Sequence, residues 1–102
     1  MILFRIRLLK NVCGFKLRYI ETVRSGLIRG IVYKVSFEEE KQKIHRYDFD
    51  QKKGYHYHIE LFEVADYKKG RLIKKVHVPI GNILNHKVFR DFVLEQCLEH
   101  FH

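Results

Sequence analysis

Between Arg46 and Glu60 the chain alternates so regularly that an extended backbone is the natural solution. Tyr47, Phe49, Tyr55, Tyr57 and Ile59 fall on one parity, and Arg46, Asp48, His56, His58 and Glu60 on the other. Successive residues of a strand point to opposite faces, so these two runs sort into an aromatic face and an ionisable face. A turn over Asp50-Gln51-Lys52-Lys53-Gly54 closes them into a hairpin, with Phe49 opposite Tyr55, Asp48 opposite His56 and Arg46 opposite His58. Opposed Cβ atoms in such a pair lie about 4.5–5.5 Å apart, within reach of an Asp–His hydrogen bond. The register matters, because a one-residue slip would carry every ionisable group to the oily side.

The same period continues on both sides. Ile2, Phe4, Ile6 and Leu8 alternate with Arg5 and Arg7, which predicts a strand over 2–8; Ile2, Leu3, Ile6 and Leu9 also fit a short helix. Asn11 to Gly14 is a break, and a strand from Phe15 to about Val23 follows. The loop Arg24-Ser25-Gly26 returns the chain through Leu27–Phe37, pairing Phe15 with Val35 and Tyr19 with Ile31. Lys43–Phe49, Tyr55–Val64 and Arg71–Pro79 read as further strands, with Glu38-Glu39-Glu40 as a solvated loop and Ala65 to Gly70 as a charged turn. From Asn82 the pattern changes. Val88, Phe89, Phe92, Val93, Cys97, Leu98 and Phe101 recur at spacings of three and four, the mark of an amphipathic helix that Asn82 or Asn85 would cap. The expected fold is α+β, a single domain over 1–102. It is a curved, mostly antiparallel meander of about five to six strands with one C-terminal helix on its apolar face.

A 46% hydrophobic share without low-complexity tracts supports a packed globule. The formal net charge of +8 is unevenly spread. Glu21 is the only acid before Glu38, and residues 67–90 hold Lys68, Lys69, Arg71, Lys74, Lys75, Lys87 and Arg90 with no acid. Such a field draws polyanions, RNA being the commonest inside cells; an acidic protein would be drawn as well. Two cysteines, Cys13 and Cys97, do not make a disulfide scaffold, so a reduced, cytoplasmic setting is expected. The first ten residues are too short and too charged for a spanning helix, so no membrane association is expected. An apolar edge at residues 2–8 would suit pairing between copies, giving a homo-oligomer.

Arg46-Tyr47-Asp48, a short Lys/Gly turn, His56-Tyr57-His58 and a later C-terminal helix together resemble the TumE-type toxins of prokaryotic toxin–antitoxin pairs. The resemblance is best over residues 44–62 and weak before Phe15. Phe49 and Asp50 stand where members of that family often have Asn soon after the Asp. The resemblance implies a toxin held by an antitoxin protein, with RNA as its target.

His56 and His58 are two apart and share a strand face. As base and acid they would deprotonate a ribose 2′-hydroxyl and protonate the leaving 5′-oxygen, with Asp48 fixing the His56 tautomer and Arg46 clamping phosphate. That chemistry is a metal-independent ribonuclease with no cofactor. Lys16, Arg18, Lys34, Lys52 and Lys53 would extend the nucleic-acid surface. Three other readings stay open. The two histidines are half-exposed surface residues; the face is a non-catalytic module for RNA or an acidic protein; or His56 and His58 with Glu60 or Glu63 form a His-x-His metal site, as in small cupins. Against the last, Pro79-Ile80-Gly81 is not followed by the histidine a cupin needs. Tyr47, Tyr55 and Tyr57 share a parity with Phe49 and Ile59 and are expected in the core.

Overall fold

A computed structural model describes residues 2–12 (as backbone), 14–63 and 70–99. Its elements are β1 (Ile2–Val12), β2 (Phe15–Arg24), β3 (Leu27–Phe37), β4 (Lys43–Asp50), β5 (Gly54–Phe62), β6 (Leu72–Val78) and α1 (His86–Glu99). The strands form one open antiparallel sheet in the order β1-β2-β3-β4-β5-β6, so each pairs only with its neighbours in the chain. The expected α+β meander with a single helix is therefore present. Residues 2–8 are strand, not helix, and β1 runs through Asn11 and Val12 to a turn where Gly14 has a φ of +103°.

The β2–β3 hairpin differs from the expected pairing by two residues. Phe15 faces Phe37, Leu17 faces Val35 and Tyr19 faces Tyr33. The loop is shorter than expected: Arg24 pairs with Leu27, and Ser25 and Gly26 both have positive φ, at 53° and 77°. Positive φ at both central residues is the type I′ geometry, whose twist matches that of the flanking strands. A register shift between Thr22 and Val23 then leaves Arg29 as an extra residue on β3. Together these two changes move the pairing by an even number of residues, so residues from Gly30 onward keep their expected face; between turn and bulge the face is exchanged, with Ile28 on the core and Leu27 exposed.

The odd-numbered face of β2 to β5 is oily and α1 covers it. Leu17, Ile31, Tyr33, Val35, Tyr47 and Tyr57 are buried there against Phe89, Val93 and Cys97 of the helix. Those helix residues are four apart, which puts them on one stripe. Tyr47 and Tyr57 stack with centroids 4.2 Å apart at 9°, and Phe89 meets Tyr33 edge-on at 5.7 Å. The expected core role of the tyrosines holds. Asn85 caps the helix: its Oδ1 accepts the Val88 N–H at 2.9 Å and its carbonyl accepts the Phe89 N–H at 3.0 Å. Asn82 lies outside the helix. Val88 and Leu98 are exposed, beyond the packed stripe.

Two expectations about the connections change. Glu40 is not merely solvated. Its carboxylate meets His45 Nε2 at 3.1 Å and Lys43 Nζ at 3.2 Å, while the other nitrogen of His45 bonds the Tyr57 hydroxyl at 2.8 Å. In β6, Val78 packs on the core but Leu72 and Val76 are exposed; a shift between Leu61 and Phe62 sets Leu72 opposite Phe62, while Val76 stays opposite Ile59 on the edge strand. Cys13, Lys68, Lys69, His100, Phe101 and His102 lie outside the described residues.

Candidate functional site

The β4–β5 hairpin adopts the predicted register. Asp48 faces His56, Arg46 faces His58 and Phe49 faces Tyr55; Asp50 and Gly54 also pair, so the loop shrinks to Gln51-Lys52-Lys53. Asp50 builds that turn, its Oδ1 accepting the Lys52 N–H at 2.8 Å and the Lys53 N–H at 2.6 Å. Gly54, at φ +73°, supplies the left-handed residue that closes it. The turn thus fixes the register, and the register fixes the chemistry.

On the even-numbered face the sheet curls into a groove of about 580 Å³, lined by Val32, Arg46, Asp48, His56, His58 and residues around them. Arg46, Asp48, His56 and His58 meet at its floor, with Glu60 beside them. Asp48 Oδ2 lies 3.5 Å from His56 Nε2 and 3.7 Å from His58 Nδ1. Asp48 Oδ1 lies 3.5 Å from Arg46 Nε. Glu60 Oε2 lies 3.8 Å from an Arg46 terminal nitrogen and 4.0 Å from His58 Nε2. The His56 Nδ1 is 3.3 Å from the Gly54 carbonyl, so it carries the proton and donates it there. The two imidazoles lie nearly parallel, at 12°.

Burial is uneven across the cluster. His58 is 4% exposed, whereas the His56 side chain is 28% exposed. Burial holds the His58 imidazole below the usual histidine range; the pull of Asp48 and Glu60 towards the charged form is smaller, and Arg46 works against it. Neutral His58 therefore faces carboxylate oxygens with both ring nitrogens, and neither nitrogen has a hydrogen-bond partner among the described residues.

Arg46, Asp48, His56 and His58 thus come together on the wet side of the sheet, away from α1. Lys53 joins them at the groove wall, and Lys52 is exposed in the turn beside it. Arg18 and Lys34 continue the row outward, Arg18 registering with Lys34 and Lys34 with Arg46; Lys16 follows on the same face. Of the two proposed carboxylates, Glu60 is in the cluster. Glu63 is exposed and pairs with Arg71 at 3.4 Å. Lys75 and His77 of β6 also line the groove, and His77 registers with His58. Their parity was readable, but a turn from Ala65 to Gly70 does not by itself fix the register that sets them beside this cluster.

No family model, no curated protein and no solved structure matches the chain. Among the described residues no helix is long and apolar enough to cross a membrane.

Proposed function

We propose that this protein binds RNA along the even-numbered face and cleaves its backbone in the groove, acting as the toxin of a toxin–antitoxin pair. One observation carries the reading: Arg46, Asp48, His56 and His58 share the floor of a groove whose walls bring Lys53 and Lys75. A guanidinium beside a carboxylate–imidazole cluster is what phosphodiester cleavage uses, one part to hold the charged phosphate and the other to manage protons or water. Lys16, Arg18 and Lys34 extend positive charge along the sheet for the flanking phosphates. Tyr47 and Tyr57 are buried beneath α1, so binding runs through phosphate contacts more than through base stacking on those rings. The residues of the TumE-type resemblance are the ones that build the groove, which supports the toxin assignment.

The test uses the purified full chain with a fluorescent single-stranded RNA, reading anisotropy for binding and a denaturing gel for cleavage. Wild type binds and cuts; Asp48→Asn keeps binding within a few-fold and loses at least ~100-fold in cleavage rate. Binding with no cleavage by wild type would leave a non-catalytic module. Failure to bind RNA at low salt would remove the reading altogether.

A further inference from the structure

The cluster at the groove floor has a geometry that hydrogen bonding does not explain. Asp48, His56 and His58 can each offer one ligand atom, and these three atoms lie within 4.8 Å of one another. The two Asp48–His separations, 3.5 and 3.7 Å, are too long for N–H···O bonds, which run about 2.7–3.2 Å. They match the ligand-to-ligand edge of a tetrahedral site. Bonds of about 2.0–2.1 Å around one ion put neighbouring ligand atoms roughly 3.3–3.4 Å apart.

An unpartnered atom points the same way. His58 is buried, and its Nδ1, the nitrogen facing Asp48 Oδ2, has no hydrogen-bond partner among the described residues. A buried polar atom left unsatisfied costs about 1–3 kcal/mol, a cost that an ion bound at that nitrogen would remove. At the cluster itself Asp48 and Glu60 bring two carboxylates to one guanidinium, Arg46, while Lys53 and Lys75 stand on the groove walls.

The outer groups are also placed as metal-ligating residues need them. A histidine that ligates through one nitrogen usually donates the other N–H to a carbonyl or carboxylate. His56 Nδ1 addresses the Gly54 carbonyl, which leaves the Nε2 lone pair aimed at Asp48. His58 Nε2 faces Glu60 Oε2 at 4.0 Å, an ion-pair separation longer than a hydrogen bond, and Nδ1 faces Asp48 Oδ2. Arg46 Nε stands 3.5 Å from the second oxygen of Asp48, likewise as an ion pair.

We propose that Asp48 Oδ2, His56 Nε2 and His58 Nδ1 bind one divalent transition-metal ion of the zinc type, with an open coordination position towards the groove. Two imidazoles and a carboxylate suit Zn²⁺, Co²⁺ or Fe²⁺ and select against Mg²⁺ and Ca²⁺, which prefer all-oxygen shells. Three protein ligands with one position free is the pattern of a catalytic site, not a structural one. Glu60 and Arg46 are positioning residues that orient the ligands. Metal binding stands without RNA; the role of the open position in accepting water or a phosphate oxygen rests on the function proposed above.

The experiment takes the purified full chain, stripped with chelator, and titrates it with Zn²⁺ by calorimetry and with Co²⁺ by visible absorption. One equivalent binds, and Co²⁺ gives an intense d–d band of low coordination number. His56→Ala, at a partly exposed position that circular dichroism will show to be folded, loses the band and weakens Zn²⁺ binding at least ~100-fold. Glu60→Gln weakens it by about 10–100-fold and keeps the band, as expected for a group acting through His58. Wild type that binds no Zn²⁺, or binding unchanged in both His56→Ala and Asp48→Asn, overturns the site. RNA cleavage that persists at full rate in the stripped protein overturns a catalytic role for the metal and leaves the RNA reading standing. Metal binding without any RNA affinity does the reverse.

Discussion

Glu40 shows how far a single side chain can depart from what its neighbours in sequence suggest. Set after Glu38 and Glu39 it looks like one of three solvated acids, yet it anchors His45 beneath the edge of the sheet. Burial alone would raise its carboxyl pKa, but the bonds from His45 and Lys43 win and hold it below the usual carboxylate range. A depressed carboxylate pKa contributes stability that is present above the unfolded value, about 4.3, and lost as pH falls through the folded value. Glu40→Gln should therefore flatten the loss of stability in that acidic window, with little change in its slope near pH 7; urea melts at pH 3, 4, 5 and 7 check it. Cys97 gives a second residue-level expectation. Burial pushes its thiol up to about 11, so at pH 8 it is almost wholly protonated and shielded. In a Cys13→Ser variant, labelling of Cys97 by a thiol reagent should be slow in the native protein and accelerate by orders of magnitude in denaturant. Fast labelling without denaturant would mean that α1 is not seated as described.

At the scale of elements, turns decided what could be read in advance. The β4–β5 register was legible because Asp50 and Gly54 punctuate it and both flanking runs alternate, so the Asp48–His56 and Arg46–His58 pairs followed from parity. The β2–β3 register was not, because two turn types share the Arg24-Ser25-Gly26 signature and a bulge at Arg29 has no mark of its own in the sequence. Only the face assignment survived, since the two deviations amount to an even shift. Glu60, two residues after His58 on the same strand, was legible from parity, whereas the approach of Lys75 and His77 was hidden because the charged turn from Ala65 to Gly70 does not fix the β5–β6 register. The I′ turn makes a prediction. Asn is far better suited than Ser to positive φ, so Ser25→Asn should stabilise the protein by a few tenths of a kcal/mol or more. The helix cap makes another of opposite sign: Asn85→Ala should cost about 1 kcal/mol, read as a lower urea midpoint at unchanged m-value.

Across the whole molecule the two faces of one sheet divide the labour, the odd face for packing and the even face for charge. Phe89 is the largest of the fully buried helix side chains, with Tyr33 of β3 and Tyr55 of β5 both in ring contact. Phe89→Ala should cost about 3–5 kcal/mol. Against a typical total of about 5–15 kcal/mol, that places the variant near unfolding at 37 °C, as calorimetry would show. The even face predicts a salt response: if Lys53 and Lys75 each neutralise one RNA phosphate, replacing either by Ala should lower the slope of log affinity against log salt by about 0.7. An unchanged slope would take the groove out of the RNA path. The order of elements has a further bearing on synthesis. The six described strands all precede α1, so a chain emerging from the ribosome displays Leu17, Ile31, Tyr33, Val35, Tyr47 and Tyr57 without their cover until α1 has been made. During that interval the apolar face is open to hydrophobic-surface chaperones and to aggregation, and the emergence of α1 ends the exposure.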